Sequence, residues 1–451
     1  MINGRRIVIW IIPLLALLGL SSGSALAQKA APPPAAPPPA APPAAAPPAA
    51  PAAAAAPYEV WVIDQSDSSK DGGGTLYIYD GESLAKDAKS AKAEKVDLGD
   101  KFAEACKEAG GYPKRPHMIF FTKDGKYAIL SYVASGHVVF LDAADRAPIG
   151  CVSLGKNAHA TFPAADMKLA IGANIAEKKL VRIWTDYANK KFTVNPSTDV
   201  VALASLETGS GLSDMAPICP IIEKKSQFVF VTPRGGGLVI FDITTTPMSN
   251  TGSLPRDAVR PAGCGGVQIG SNMYLNSGGG WPATPLNHDV YAFGLGSLPE
   301  GSVPELIGGR DGGDSHGMVS LNNKYLWSGD RHLNLIDTYD TANGNIKIGT
   351  ILLSGDLSKD PAPDLMDTSP DGSYVFAALR GPSPLTGNNK EVNNAVGGTP
   401  GVGVIKVEGN GRGGALVGIA PISKMVQEKD KEGKDVTVEK ADPHGIQVRK
   451  K

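Results

Sequence analysis

Four of the seven histidines stand in matching contexts. His117 in "RPHMIFF", His159 in "NAHATF", His316 in "GDSHGMVSL" and His444 in "DPHGIQV" each introduce a short apolar or β-branched run. Cys219 and Cys264 precede comparable runs, and Asp364, or Asp367 three residues on, does so once more. Neutral imidazole is the commonest borderline metal ligand, so several converging on one axis suit copper or zinc. A second pattern is cationic. Arg234 in "TPRGGG", Arg331 in "GDRHLN" and Arg380 in "ALRGP" each follow the second apolar run of their segment. Three guanidiniums gathered at one mouth, with Asp364 on the same face, would hold a carboxylate, a phosphate or a small inorganic anion. His137, His288 and His332 fall outside the pattern and are expected to be structural.

The four cysteines allow two disulfides. Cys219 and Cys264 belong to neighbouring segments that a ring would bring together, and Cys106 and Cys151 flank the first segment. In an exported protein disulfides are the default over thiolate ligation. They are therefore expected as Cys106–Cys151 and Cys219–Cys264.

Such groups can converge only if a repeat positions them. From Tyr58 onward, glycine and proline turns alternate with short β-branched and aromatic runs, and no long stretch has a helical period, which reads as all-β. The recurring unit is a polar residue, a strand, a turn, a second strand, then an apolar run closing on aspartate. "PHMIFFTKDGKYAILSYVASGHVVFLD", "PICPIIEKKSQFVFVTPRGGGLVIFD" and "SHGMVSLNNKYLWSGDRHLNLID" are copies, with 25, 23 and 21 residues from key residue to Asp142, Asp242 and Asp337. Starts at 117, 159, 219, 264, 316 and 364 lie 42 to 60 residues apart, a period of propeller blades. A seventh start, at His444, leaves room for one strand only. Its missing partners are "YEVWVIDQ" and "GGTLYIYD" at the other end of the domain. The expectation is a seven-bladed β-propeller of four-stranded blades, the last closed by N- and C-terminal strands, which removes two exposed sheet edges. The key residues would then face one central channel.

Outside the repeat, Arg5–Arg6, the run "IVIWIIPLLALLGL" and "SALAQ" read as a secretory signal over residues 1–27, too short an apolar run for a membrane span. Residues 28–57, nearly all alanine and proline, read as a semi-rigid spacer before a propeller domain over 58–451. Net charge of −1 offers no electrostatic reason for a nucleic-acid partner. Two insertions interrupt the sixth blade: residues 381–401, long enough for a lid, and the mixed-charge stretch 424–442, a solvated hairpin. "GNGRGG" at 409–414 lacks a following helix and reads as a loop.

With the blades laid out, "GHVVFLDAADR", "RGGGLVIFD", "SPDGSYVFAALRGP" and the terminal "PHG" resemble the exported bacterial seven-bladed propellers of the YVTN-repeat type, over Tyr58–Lys451. More distantly the chain is similar to the propellers of d1-haem proteins and nitrous oxide reductases, whose channel faces hold a tetrapyrrole or a histidine-bound copper centre. The signal implies a periplasmic or secreted protein, expected to be a monomer, and the resemblance implies a propeller with a channel-face ligand site. The expectation is copper held by His117, His159, His316 and His444, with oxidoreductase chemistry on a small anionic substrate and a redox partner protein. The alternatives are a non-catalytic binding or scaffold propeller and a d1-haem carrier, with Arg234, Arg331 and Arg380 meeting anionic groups.

Overall fold

Aspartates decide where strands turn. The Asp142 carboxylate accepts from the Ala144 N–H at 2.8 Å, and Asp242 accepts from that of Thr244 at 2.8 Å. An aspartate that bonds the backbone two residues on closes a turn, so each unit folds back into an outer strand. In the "SHGMVSL" copy this residue is Asp340, which accepts from Ala342 N at 3.1 Å, and not Asp337 as the spacing suggested. The separation from His316 becomes 24 residues, in step with the other copies. Asp337 instead lies inside the strand, buried, and pairs with Arg310 and Lys347. Between first and second strands, "KDGK" and "PDGS" turn in the same way. Asp124 accepts from Lys126 N and Asp371 from Ser373 N, each beside a glycine near φ +70°.

The computed structural model of the protein describes residues 57–66, 73–207, 212–279, 286–298, 303–389 and 393–451. The expected signal, 1–27, lies outside them, as does the spacer 28–57 except for Pro57. Seven antiparallel sheets follow in chain order. Blade 1 is Pro116–Phe121, Tyr127–Tyr132, His137–Asp142 and Ala147–Ser153. Blade 2 is Ala158–Pro163, Leu169–Asn174 and Lys179–Asp186, with an outer edge split into Lys191–Thr193 and Val200–Ala202. The split turns Asp199 inward onto Arg182, a fully buried ion pair at 2.7 Å. Blade 3 spans Pro217–Leu254, blade 4 Gly266–Asp311 and blade 5 Ser315–Leu352, four strands each. Blade 6 pairs Pro363–Thr368, Tyr374–Leu379, Gly401–Glu408 and Gly413–Pro421.

Blade 7 is the closure. The last strand, Pro443–Lys450, pairs with Tyr58–Asp64, which pairs with Thr75–Asp80 and then Ala93–Asp97. Tyr58 faces Lys450 and Trp61 faces Gln447. Buried Glu59 gathers the Trp61 indole N–H at 2.9 Å, Arg146 of blade 1 at 2.6 Å and Arg449 at 3.1 Å, so one carboxylate ties both termini to the next blade. The 425–439 hairpin is mostly exposed, as its charges require.

The first strand of each blade is innermost. Met118, Phe120, Phe162, Ile221 and Leu365 share one apolar cluster although blade 6 is no neighbour of blades 2 and 3, so these side chains fill the axis. Above this plug lies a polar layer. Among the described residues no helix is long and apolar enough to cross a membrane.

Candidate metal centre in the channel

A repeated bulge aims the key residues. In blade 1 the strand register passes from Pro116↔Tyr132 to Met118↔Ser131 and skips His117; in blade 2 it skips His159. It skips His316 with Gly317 in blade 5, Asp364 with Leu365 in blade 6, and His444 with Gly445 in blade 7. A bulged residue leaves the ladder and its side chain is re-aimed, here toward the axis. In blade 3 the skipped residue is Ile218, so the ring position expected for Cys219 belongs to the residue before it. The legible signal was proline: Pro116, Pro217, Pro363 and Pro443 each directly precede the bulged residue. Glycine lets the innermost strands approach. A Cβ on Gly317 would sit 2.3 Å from the Asp364 carbonyl oxygen, and one on Gly445 2.9 Å from that of His117.

The structure brings His117, His159, His316, His444 and Asp364 into one layer. The His117 and His159 Nε2 atoms are 3.0 Å apart. The His117 and His444 rings meet at 3.9 Å between centroids, tilted by 37°, and His316 stands edge-on to His444 at 5.6 Å. His316 Nε2 lies 3.2 Å from Asp364 Oδ1, and His444 Nε2 3.8 Å from Oδ2. His117, His316 and His444 are buried and His159 is half-buried.

Tautomers follow from the partners. His159 Nδ1 lies 2.8 Å from the Ile218 backbone oxygen, which can only accept, so Nδ1 carries the proton. His117 Nδ1 lies 2.7 Å from Gln65 Oε1, while Gln65 Nε2 donates to Asp442 and Thr386; Nδ1 is again the donor. Both Nε2 atoms therefore present lone pairs to each other at 3.0 Å. A proton between them would relieve this, but burial holds His117 well below its usual range, helped by neighbouring His444, His159 and Arg380. Burial likewise pushes His159 down to about 4 and His316 to about 3, and lowers His444 well below 6.5. Neutral imidazoles with opposed lone pairs fit a metal ion, since two nitrogens at about 2.0–2.1 Å from one ion stand roughly 3 Å apart. His316 keeps both ring nitrogens, and His444 its Nδ1, without a hydrogen-bond partner though buried.

The arginines are placed by aspartates. Arg331 Nε meets Asp314 at 2.8 Å and its Nη1 reaches Asp364 at 3.3 Å. Arg380 bonds Asp364 through Nη1 and Asp442 through Nε at 2.6 Å. Arg234, partly exposed, pairs with Asp214 at 2.6 Å on its own blade. The structure thus brings Arg331 and Arg380 to the layer already ion-paired. Burial disfavours the Asp364 charge, but its guanidinium partners Arg380 and Arg331 more than offset it and hold the carboxyl well below its usual range. Burial pushes Asp314 and Asp442 up, while each accepts from a guanidinium and from a backbone N–H.

Sequence reasoning missed Gln65, Thr386, Asp314 and Asp442. The two aspartates had a signal, since each stands two residues before a ring histidine in "DSH" and "DPH". Gln65 had none. Leu385, Thr386 and Asn394 of the insertion lie against the layer: Leu385 N bonds Asp442 at 2.7 Å, Thr386 O accepts from Arg380 at 2.7 Å, and Asn394 N bonds Asp314 at 2.7 Å. His137, His288 and His332 lean on Ser135, Asp330 and Asn394.

Both expected disulfides are present, Cys106–Cys151 and Cys219–Cys264, and are compatible with an extracytoplasmic protein. The second joins the innermost strand of blade 3 to the residue pair before that of blade 4. No protein-family model and no curated protein matches the chain. Among solved structures, a Lactobacillus plantarum protein is similar over 87% of this chain and 99% of its own, at 11% identity and a TM-score of 0.56. The periplasmic gluconolactonase of Pseudomonas aeruginosa is similar over 87% and 99%, at 11% identity and a TM-score of 0.52. At such identity the likeness establishes the propeller fold and nothing finer.

Proposed function

We propose that this is an exported, metal-holding propeller whose channel layer binds copper through His117 and His159 Nε2, completed by His316 and His444. The observation that carries the reading is the pair of opposed Nε2 lone pairs at 3.0 Å, each fixed by an accepting oxygen on the far side of its ring. Outer-shell acceptors of this kind set the tautomer of metal-binding histidines. An all-imidazole set favours copper among divalent ions. Asp364 balances charge for the layer, and the insertion over it limits access of water. Export, to the periplasm or the medium, is supported by the disulfides and by the signal-like residues 1–27. The YVTN-type resemblance agrees with this setting.

A resident copper would supply one-electron chemistry; the chain's residues bind it, orient its ligands and cover it. One observation favours a second reading, a binding propeller without turnover. Arg331 and Arg380 are already matched to Asp314, Asp364 and Asp442, which leaves them poorly placed for an anionic substrate or for the carboxylates of a d1-type haem. The test is elemental analysis of protein exported to the periplasm and purified without a metal column. Close to one copper per chain is expected, lost in His117→Ala and His159→Ala variants that keep the parent circular dichroism spectrum. Metal content unchanged in both variants sinks the reading. A copper signal bleached by a small inorganic anion in stopped flow would favour an oxidoreductase over a binding protein.

A further inference from the structure

The disulfide beside this layer is placed unlike the other one. A ring nitrogen of His159 and the Cys219 and Cys264 sulfurs all lie within 4.8 Å of one another. Both cysteines are buried, on or just before innermost strands. The His159 ring is anchored through Nδ1 to the carbonyl of Ile218, the residue that precedes Cys219. Among the described residues no such triple forms around Cys106–Cys151, which joins a short helical turn to an outer strand.

We propose that Cys219–Cys264 is a reducible ligand pair, and that its thiolates with His159 form a second, softer site for monovalent copper. This rests on the copper reading only in sharing His159. The step consumes a dithiol reductant: it delivers two electrons and two protons, becomes a disulfide, and leaves Cys219 and Cys264 as thiols. On binding, the two thiol protons pass to solvent and two thiolates join one imidazole nitrogen. Thiolates select monovalent copper where imidazoles alone do not. With metal–sulfur and metal–nitrogen lengths of about 2.3 and 2.0 Å, the ligand atoms need separations of roughly 3.3–3.8 Å. The sulfurs must therefore part from their bonded distance, starting from positions already within 4.8 Å of the nitrogen. A disulfide oxidant that takes the two electrons and becomes a dithiol would re-form the Cys219–Cys264 bond, remove two soft ligands at once and return the ion to the histidines, so the redox state of the pair would set which form of copper the channel prefers.

The experiment uses a Cys106→Ser/Cys151→Ser background, so that one disulfide responds, with thiol mapping by mass spectrometry in wild-type protein as a parallel measurement. Protein oxidised or reduced with dithiothreitol is titrated anaerobically with monovalent copper against bicinchoninate. Reduction is expected to tighten binding at least tenfold and to protect Cys219 and Cys264 from alkylation once copper is bound. The gain should vanish in a Cys219→Ser/Cys264→Ser variant. Equal affinity of oxidised and reduced protein, or thiols still alkylated in the loaded protein, overturns the proposal. So does loss of the near-ultraviolet circular dichroism on reduction, which would make the pair a brace only. Copper held by reduced but not oxidised protein would overturn the histidine reading and support this one; copper held by oxidised protein with no gain on reduction would do the reverse.

Discussion

Gln65 carries more of the candidate site than its place at the end of the run "YEVWVIDQ" suggested. Its amide oxygen fixes the His117 tautomer while its amide nitrogen reaches Asp442 and Thr386, linking ring, clasp and insertion through one side chain. Removing an outer-shell partner typically costs 10–100-fold in metal affinity. Gln65→Ala is therefore expected to weaken copper binding by about that factor in a chelator competition, with its fold intact. Charge at the layer also predicts acid behaviour. His159 and His316 titrate near 4 and 3 in the folded protein, against 6.5 in the unfolded chain, because burial penalises their charged forms. The unfolded state thus takes up protons first. Stability of metal-free protein should be unaffected above about pH 6.5, then fall steadily as pH drops toward 3. Urea midpoints that stay level from pH 7 to 4 would contradict this.

At the scale of the element, the bulge at the start of each innermost strand does the positioning, and glycine permits it. Gly317→Ala would press a methyl onto the Asp364 backbone oxygen, 2.3 Å away, so strand 315–321 must shift from its neighbour. Overpacking of this kind costs about 1–3 kcal/mol. The shift also moves His316 and Asp364 together, and the expected result is a less stable protein that has lost most of its metal. Gly355→Ala, where a Cβ meets nothing within 4 Å, should match the parent in denaturant midpoint and copper content. Metal retained in full by Gly317→Ala would show that the layer does not depend on this close approach.

For the whole molecule, closure is the controlling feature. Deleting Asp442 to Lys451 removes the innermost strand of blade 7, the Asp442 partner of Arg380 and the Arg449 link to Glu59. It bares the edge of strand Tyr58–Asp64 and the apolar surface beside it, so aggregation is expected whatever the ligand; soluble, monodisperse truncated protein on gel filtration would count against the closed ring. His444→Ala keeps the strand and should lose metal only. Cys106–Cys151 strengthens the same junction, tying the segment after blade 7 to the outer strand of blade 1 across 45 residues. Loop-closure entropy assigns it about 4 kcal/mol. A Cys106→Ser/Cys151→Ser variant should unfold at lower denaturant by up to that amount and keep its copper.

Sequence alone determined the ring. Alternating runs, aspartate turns and a period near 50 residues are local features that repeat, and repetition makes the blades, the clasp at "PHGIQV" and the ring histidines legible without coordinates. Both disulfides followed from that order. What the tertiary structure decided was orientation and pairing. Ile218 rather than Cys219 took the blade 3 position because a bulge shifts register by a single residue, and alternation cannot show where a ladder skips. The three arginines looked free because the aspartates that claim them, Asp214, Asp314, Asp364 and Asp442, lie as few as 16 and as many as 62 residues away along the chain. Gln65 and Thr386 were invisible for the same reason: hydrogen bonds spanning 321 residues leave no local pattern. The ring positions are written in the repeat, but the protons their side chains hold are set by neighbours that only the fold assembles.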